Sequence, residues 1–478
     1  MNFNRTRRVI IAGCQGGGIN AAREARRTDS DAEIILFDSS PFPPYSACSI
    51  PHVVSGKMDV AELITTSGDQ LLAGFGIKLV SNATVVTGDA ENRWVEIATP
   101  AASEIMEWDS LVIATGASPG IPAEYAQLFQ PSAHWNQLCP NVHLLRNPSD
   151  ADFLAQAMAA LPAASPVAVI GAGSIGISMV EAALARGLCP YIVEAGPSIM
   201  GFSDGPAFDM ITSALTARGV DIYLNQPGSA PIQEKGCVTS IQMPSGQVPC
   251  SLLILSCGVQ PRTALAAEMG LRLGSSGAIS VRETMETSAS RIFAAGDCCE
   301  TLDQLTGGRI YFPQASVAVR QGRIAGRNAV LAARPGGTPV SRDSLNTYPG
   351  TLRIWVTDCL GLEIASAGIT TESTRDHVPA AGRDGVRSVK VMTRSRTPHF
   401  SPREDMAVEL FYSSSTKLLM GGRIIGPAGT AADRINFIAL ACQKRMSLPE
   451  LANLEMAYSP RIAPLWDPII TAARTVNQ

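Results

Sequence analysis

Two separate stretches of the chain share one pattern: a buried strand, a glycine-rich turn, a helix, and a second strand that ends in an acid. The first unit has these parts at residues 9–11, 13–18, 19–27 and 33–38. Small residues in such a turn let the backbone approach a pyrophosphate at the helix N-terminus. Gln15 stands where the usual G-x-G-x-x-G motif has its middle glycine, so the match is imperfect. The residues expected to bind a dinucleotide are Gly13, Gly16, Gly17, Gly18 and Asp38.

The second unit keeps all three glycines of the motif. Its strand at residues 167–170 leads into Gly171, Gly173 and Gly176, and Glu194 ends the following strand. A carboxylate at this position accepts a hydrogen bond from a ribose 2′-hydroxyl and repels a 2′-phosphate. The sequence therefore favours NADH, with NADPH as the alternative. Two such units in one chain favour a true pair of dinucleotide sites over a chance match.

Three further short strands, at residues 111–113, 252–255 and 291–294, end in small or acidic residues. Ligands bind at the carboxyl ends of the strands in open α/β sheets. The alternative for the acid among them is a helix N-cap or a turn. The sequence predicts additional cofactor contacts from Ala114, Thr115, Gly116, Gly258 and Asp297.

One cysteine, Cys48, follows the first unit closely, in a proline-rich stretch at residues 41–52 that is typical of a helix start. Backbone N–H groups at a helix start favour an anion, so they are expected to lower the pKa of the thiol. His52 lies four residues on, where two side chains share a helix face, and its imidazole would stabilise the thiolate or shuttle a proton. The alternatives are an inert buried cysteine and a histidine that faces solvent.

The composition is that of a globular protein and excludes several classes of partner. Of 478 residues, 46% are hydrophobic and the formal net charge is −4, so no nucleic-acid partner is indicated. No apolar run is long enough to span a bilayer, and residues 8–13 enter a strand directly, unlike a signal peptide. The eleven cysteines include no Cys-x-x-Cys pair. This argues against a disulfide scaffold and a metal site, and for a reducing cytoplasm.

Beyond the second unit the pattern changes. Residues 335–339 form a Pro- and Gly-rich boundary. The strands predicted after it lie at residues 352–356, 389–392, 407–412 and 418–426, and the helices at 431–445 and 449–456. The sequence predicts an α+β domain here, without a nucleotide-binding turn.

Taken together and in order, these motifs resemble the FAD-dependent pyridine nucleotide–disulfide oxidoreductases. The chain looks most like their single-cysteine branch of coenzyme A disulfide reductases, NADH oxidases and NADH peroxidases. The resemblance covers nearly the whole length and is carried by residues 13–18, 41–52, 114–116, 171–176, 294–297, 320–323 and 458–460.

The resemblance implies a fold, a set of domains and an assembly. The fold is α/β, with two Rossmann-like dinucleotide-binding domains, for FAD and NAD, the second inserted in the first, and a C-terminal α+β dimerisation domain. The assembly is a homodimer in which the partner's C-terminal domain covers the active site. The implied segments are a first FAD-binding part at 1–142, an NAD(P)H-binding domain at 143–260, a second FAD-binding part at 261–335 and the dimerisation domain at 336–478.

The resemblance assigns Cys48 as the redox cysteine. It lies ten residues after Asp38, the offset that the family uses, and Val53 stands where two-cysteine reductases have their second cysteine. Cys48 is therefore expected to react through a mixed disulfide, a persulfide or a sulfenic acid. Tyr458 matches the family tyrosine that reaches across the dimer toward the substrate sulfur, and its alternative is an interface aromatic.

Basic residues on the first helix bind coenzyme A phosphates in the family's reductases. Arg23, Arg26 and Arg27 lie on this helix, and the planar fork of arginine suits phosphate. Arg23 and Arg27 are the substrate-binding residues that the resemblance implies. The alternative is an ordinary solvated helix face.

The chain departs from the family pattern around the cysteine. Ala47, Ser49 and His52 replace the family's Asn, Gly and Tyr. Gly16 stands where the peroxidases carry a histidine, which counts against peroxidase chemistry.

The implied function is that of an FAD-dependent NAD(P)H oxidoreductase that passes electrons through the flavin and Cys48 to a small-molecule disulfide or polysulfide, such as coenzyme A disulfide. An NADH oxidase that reduces O2 is the alternative enzyme. Ser174 and Ser178 replace an aromatic residue and a glutamate of the family's nicotinamide pocket. A redox-sensing flavoprotein with little turnover is therefore a further alternative.

Overall fold

A computed structural model describes residues 7–130, 136–333, 344–370, 385–397, 399 and 404–476. Up to residue 143 its helices are α1 Gly16–Thr28, α2 Ile50–Val54 and α3 Gly68–Phe75. The strands of this part are β1 Arg8–Ala12, β2 Glu33–Asp38, β3 Ile77–Ser81, β4 Thr84–Asp89, β5 Trp94–Ala98, β6 Ser103–Glu107, β7 Ser110–Ile113, β8 Ala117–Pro119, β9 Phe129–Gln130, β10 Asn136–Gln137 and β11 Val142–His143.

The middle of the chain continues the alternation of strands and helices. Its helices are α4 Pro148–Ala160, α5 Ser174–Leu184, α6 Gly205–Thr216, α7 Ala264–Glu268 and α8 Ala315–Ala332. Its strands are β12 Pro166–Ile170, β13 Cys189–Val193, β14 Asp221–Tyr223, β15 Ala230–Glu234, β16 Cys237–Met243, β17 Gly246–Pro249, β18 Leu252–Leu255, β19 Val259–Pro261, β20 Ile292–Ala294, β21 Thr301–Leu302 and β22 Arg309–Ile310.

The C-terminal part is mainly antiparallel. Its strands are β23 Trp355–Cys359, β24 Leu362–Gly368, β25 Val386–Arg394, β26 Asp405–Ser413 and β27 Leu419–Pro427. Its helices are α9 Ala432–Gln443, α10 Leu448–Ala452 and α11 Pro468–Thr475. No helix among the described residues is long and apolar enough to cross a membrane.

Two parallel sheets confirm the α/β class with Rossmann-like units. The first has the order β20-β7-β1-β2-β3 and the second the order β11-β18-β12-β13-β14. Because β20 follows the second sheet in the chain but pairs with β7 of the first, the second unit is inserted into the first. The chain passes from the first unit to the second and back through two neighbouring segments, because β8 of the outgoing segment pairs with β19 of the returning one. Strand β11 belongs to the second sheet, so we propose a domain boundary before Val142 rather than after it.

The third sheet has the order β23-β24-β27-β26-β25 and is antiparallel throughout, as expected for an α+β domain. The strand predicted at residues 352–356 exists but lies three residues later, as β23 at Trp355–Cys359. Arg353 has a φ of 52° and turns its guanidinium onto the buried carboxylate of Asp303, which takes the chain out of the sheet before Trp355. The expected boundary at residues 335–339 lies outside the described residues.

Close backbone contact between α1 and α8 fixes the first glycine turn. A Cβ atom on Gly322 of α8 would stand 2.2 Å from the carbonyl oxygen of Gly17, and one on Gly326 would stand 2.0 Å from that of Ala21. Real Cβ atoms do not approach backbone so closely. The motif at residues 320–323 therefore has a packing role: it lets α8 hold the start of α1 against the first sheet.

We predict that Gly322→Ala destabilises the protein by about 1–3 kcal/mol, because the added methyl group forces α8 away from the backbone of α1. The matched control is Gly74→Ala in α3, where a Cβ meets nothing within 4 Å. This control should stabilise by roughly 0.5–1 kcal/mol, the usual cost of a helical glycine. Thermal unfolding midpoints measure both variants. An unchanged midpoint for Gly322→Ala would show that the two helices separate freely.

Candidate active site

A continuous cavity of about 1670 Å³ brings together most of the residues singled out from the sequence. It runs along both glycine-rich turns and past Cys48, and the C-terminal domain closes part of it through Trp355, Val356 and Thr357. The predicted site residues that line it are Gly13, Gly16, Gly17, Asp38, Cys48, Ala114, Thr115, Gly116, Gly173, Glu194 and Asp297.

The three glycines of the second turn have different roles. At Gly171, with a φ of 102°, a Cβ would stand 2.5 Å from the carbonyl oxygen of Ser256, and at Gly176 it would stand 2.1 Å from that of Gly171. These two glycines therefore permit the tight turn and the close packing of α5 on the sheet. Gly173 lines the cavity with nothing within 4 Å of its Cβ position, so its backbone is open to a ligand. This is the arrangement that a pyrophosphate requires.

The first turn reaches the same shape despite Gln15. At Gly13 a Cβ would stand 2.1 Å from the carbonyl oxygen of Ala114, and at Gly18 it would stand 1.8 Å from that of Gly13. The side chain of Gln15 accepts a hydrogen bond from the backbone N–H of Tyr45 at 3.1 Å. It also donates to the sulfur of Cys14 at 3.5 Å. The amide is thus held by its neighbours and links the turn to the loop that carries Cys48.

The acid at the end of each second strand fixes its own turn in the same way. Asp38 accepts hydrogen bonds from the backbone N–H groups of Cys14 at 2.7 Å and Ser40 at 2.8 Å. Glu194 accepts the equivalent bonds from Ala172 at 2.8 Å and Gly196 at 3.0 Å. A carboxylate has about four lone-pair sites, so each acid can also accept a ribose hydroxyl from the cavity.

The ends of the other strands form the middle of the cavity. The hydroxyl of Thr115 donates to the carbonyl oxygen of Arg262 at 2.7 Å, and Gly116 turns with a φ of 72°. Gly258 also has a positive φ. Its carbonyl oxygen accepts a hydrogen bond from the backbone N–H of Gly120 at 2.8 Å, which holds together the two segments that connect the units. Asp297 pairs with Arg146 at 3.3 Å.

Cys48 lies in a short 3-10 turn, Ala47–Ser49, directly before α2. Its side chain is exposed to the cavity. The expectation of a lowered thiol pKa was wrong. The surrounding protein desolvates the sulfur and Asp297 lies nearby, and both raise the pKa of Cys48, while Arg146 opposes them. The helix that was expected to favour the thiolate has only five residues.

His52 shares a second, smaller cavity with Cys48. This cavity, of about 160 Å³, is called the side cavity below. It is also lined by Ser55, by Lys57 and Glu181, which form an ion pair at 3.1 Å, and by Asp358. His52 and Cys48 therefore line one cavity, although Cys48 lies in the 3-10 turn before α2 and not on the same helix as His52.

The three arginines of α1 have different surroundings. Arg26 is structural, because its guanidinium donates to the carbonyl oxygens of Phe75 at 2.8 Å and Gly76 at 3.0 Å. Arg27 is exposed and lies 3.5 Å from Glu24. Arg23 stacks on the ring of Phe75 and donates to Thr66, while its buried Nε has no partner among the described residues.

Tyr458 lies on the surface of the C-terminal domain and is 51% exposed. The segment around it carries further large apolar side chains that face solvent. They are Leu454, Ile462, Leu465 and Trp466, with Phe437 and Leu440 on α9.

Sequence reasoning missed two arginines that line the cavity, Arg146 and Arg262. Arg146 precedes α4, and its ion pair with Asp297 joins residues that lie 151 positions apart. No local motif surrounds either arginine, so pairing of this kind could be found only from the folded chain. Desolvation and the nearby Arg146 lower the pKa of Arg262, so two cations converge at the centre of the cavity.

The cavity fits two dinucleotides. Each turn exposes backbone to it, each second strand supplies an acid, and two guanidinium groups stand between the turns to meet phosphate or other negative charge. Gly13–Gly18 with Asp38 would hold one nucleotide, and Gly171–Gly176 with Glu194 the other. Cys48 lies along the same space, within reach of what the cavity binds.

Comparison with known proteins agrees with this arrangement. The family model described as pyridine nucleotide-disulphide oxidoreductase matches residues 7–322. The chain is 28% identical over 481 residues, with full coverage of both chains, to a Pyrococcus horikoshii protein named NAD(P)H coenzyme A polysulfide/persulfide reductase. It is 28% identical over 470 residues, 98% of each chain, to a Methanocaldococcus jannaschii protein named NADH oxidase. The solved NAD-dependent persulfide reductase from A. fulgidus is 25% identical with a TM-score of 0.87, over 98% of this chain and 83% of that chain.

Proposed function

Because the chain belongs to the pyridine nucleotide-disulphide oxidoreductase family, we propose that it is an FAD-dependent NAD(P)H oxidoreductase. Its acceptor is a disulfide, persulfide or polysulfide, such as coenzyme A disulfide, which it reduces through the single cysteine Cys48. The observation that carries this proposal is that Cys48 lines one continuous cavity with both glycine turns. The named reductase of P. horikoshii supports the class of acceptor.

Each nucleotide has a set of residues suited to it. The turn Gly13–Gly18, Asp38 and the strand-end residues Ala114–Gly116 and Asp297 would hold FAD. The turn Gly171–Gly176 and Glu194 would hold NADH. When bound, the two cofactors supply the electrons that reduce sulfur. The chain itself contributes the sulfur, the orientation of the reacting groups and the proton transfers.

The chemistry of Cys48 follows from its single sulfur. Its thiolate attacks one sulfur of the acceptor, so that the acceptor S–S bond breaks, a mixed disulfide forms on Cys48 and one thiolate leaves. The leaving thiolate takes up a proton. Two-electron reduction of the mixed disulfide then releases the second thiol and restores Cys48. Val53 at the position of a second cysteine leaves no neighbouring thiol to resolve this intermediate internally.

We predict that Cys48→Ser keeps the reduction of the bound flavin by NADH but lowers disulfide or polysulfide reduction roughly a thousandfold or more, because a hydroxyl does not form the mixed disulfide. The control is Cys189→Ser, which removes another exposed free thiol. Anaerobic stopped-flow measurements follow flavin reduction by NADH, then reoxidation by coenzyme A disulfide, polysulfide or O2. Normal disulfide reduction by the Ser variant would rule out the scheme.

The same experiment separates the alternatives. Rapid reoxidation by O2 alone would make the protein an NADH oxidase, the name carried by the M. jannaschii relative. Slow reoxidation by every acceptor would favour a redox sensor. A mass spectrum of Cys48 in the purified protein adds an independent readout, since coenzyme A, extra sulfur or oxygen on the thiol differ in mass.

For the second nucleotide, we propose NADH in preference to NADPH. The carboxylate of Glu194 lines the cavity and is fixed by two backbone N–H groups, so it cannot swing away from a 2′-phosphate without breaking both bonds.

We predict that Glu194→Gln lowers the ratio of kcat/KM for NADH over NADPH by about tenfold to a hundredfold, equivalent to ~1.4–2.8 kcal/mol, because the repulsive charge is lost. Asp221→Asn removes a charge from an exposed residue at the start of β14, in the same sheet, and should leave the ratio unchanged. Steady-state kinetics with each nucleotide measure this ratio. An unchanged ratio in the Glu194 variant would show that selectivity lies elsewhere.

For the substrate, we propose that Arg23 contacts a phosphate of coenzyme A. Arg23 is not among the residues that line either cavity; it lies on α1, where Phe75 and Thr66 hold its guanidinium in place, and its buried Nε has no partner among the described residues. Arg27 is the second candidate, because its weak exposed pairing with Glu24 leaves it available to an anion. Selective loss of activity toward coenzyme A disulfide, but not toward inorganic polysulfide, on Arg23→Gln would support this contact.

We also propose a cytoplasmic homodimer. All eleven cysteines are free thiols, which fits a reducing compartment. The exposed apolar side chains between residues 437 and 466 would be covered by a second copy, which would bring the partner's Tyr458 toward the active site.

We predict that Ile462→Asp, at a side chain that is 76% exposed, shifts the protein toward a monomer, because the charge would be buried in the dimer. Ile105→Asp is the matched control, since Ile105 is 69% exposed but lies on β6, far along the chain from this segment. Sedimentation velocity reports the mass of each variant. A monomeric wild type, or a dimer that tolerates Ile462→Asp, would contradict the proposed interface.

A further inference from the structure

The side cavity differs in character from the large one. Its volume of about 160 Å³ has room for several water molecules, but not for a coenzyme. Its polar walls come from three parts of the chain: the segment after Cys48, the end of α5, and β23 of the C-terminal domain. The large cavity would be filled by nucleotides, whereas the side cavity keeps room for water beside the sulfur.

The reaction proposed above requires a proton from solution. Reduction of one disulfide by one NADH yields two thiols and consumes one proton beyond the hydride. Cys48 must also lose a proton before it attacks. Burial and Asp297 raise the pKa of Cys48, so the isolated thiol holds its proton at neutral pH. Another group must therefore accept that proton.

His52 is placed to do so. The apolar face of α2, formed by Ile50, Val53 and Val54, is buried, which leaves His52 toward the side cavity. An imidazole accepts and donates protons near neutral pH. The first turn of α2 carries no acid that would compete with it for the proton.

Among the described residues, the charged groups that line the side cavity with His52 are Lys57, Glu181 and Asp358. Lys57 and Glu181 neutralise each other at 3.1 Å, and Glu181 also accepts a hydrogen bond from the backbone N–H of Leu360. Asp358, on β23, adds a further negative charge to the cavity wall. The side cavity therefore surrounds His52 with polar and charged groups, between which protons can pass.

We propose that the side cavity is the proton entrance of the active site and that His52 exchanges protons between solvent and the Cys48 sulfur. This rests on the proposed disulfide chemistry. The imidazole takes the proton from the S–H group, and the thiolate attacks the acceptor. As the acceptor S–S bond breaks and the mixed disulfide forms, the imidazolium returns the proton to the leaving thiolate. Cleavage of the mixed disulfide by two electrons from NADH leaves two thiolates, the second product and Cys48. The proton carried by the hydride and one proton from solution convert both to thiols, and the proton from solution enters through the same cavity.

The test is the pH profile of Cys48 alkylation in the purified holoprotein, without NADH or acceptor. Iodoacetamide labels Cys48, and peptide mass spectrometry separates it from the other exposed thiols. We expect His52→Gln to be alkylated about tenfold more slowly than the wild type at pH 7, and the two rates to converge at high pH, where the thiol ionises without a proton acceptor. His399→Gln, at an exposed histidine of the C-terminal part, is the control.

A rescue experiment separates a proton relay from a structural role. His52→Ala enlarges the side cavity, so added imidazole should restore alkylation at pH 7 and, in the same variant, disulfide reduction. Identical pH profiles in wild type and His52→Gln, or no rescue of His52→Ala by imidazole, would overturn the inference. Alkylation uses neither nucleotide nor acceptor, so it tests the role of His52 alone. The proposed function is tested separately, and a protein that reduces no disulfide would refute it whatever the alkylation rates are.

Discussion

The burial of α2 against two other domains determines where the reactive sulfur stands. This helix has only five residues, and an isolated helix of that length is not stable in water. Ile50, Val53 and Val54 join the apolar core of the second domain, which also includes Leu360 and Ile364 of the C-terminal part. Each such side chain contributes about 1.5–3 kcal/mol when fully buried. Cys48 is therefore positioned by contacts between domains, and any movement of the second domain would move the sulfur with it.

The two nucleotide turns show how one local solution recurs on different sequences. In both, the acid of the second strand ties down the turn through two backbone N–H groups. The second turn has an open glycine, Gly173, at its centre, whereas the first has Gln15, whose amide is occupied by Tyr45 and Cys14. The departure from the motif thus couples the first turn to the cysteine loop, which a glycine could not do.

The sequence predicted what depends on local chemistry. Strand β2 and the acids Asp38 and Glu194 follow from neighbouring residues and lie where the pattern indicated. Helix α1 begins three residues earlier than predicted, so Gly16, Gly17 and Gly18 form its first turn. What it missed depends on distant packing. Arg146 meets Asp297 across 151 positions, and β23 starts late because Arg353 turns onto Asp303. The pKa of Cys48 was predicted in the wrong direction because desolvation depends on which domains surround the sulfur, and the sequence does not show this.

The separation of two cavities around one sulfur resolves conflicting demands of the chemistry. Transfer of hydride and electrons favours a site from which water is excluded. Disulfide cleavage needs a proton that water must deliver. A single open pocket would serve one demand at the expense of the other. The residues that line both cavities are Cys48, Pro51, Ser178, Val356 and Thr357, so the sulfur lies where the two spaces meet.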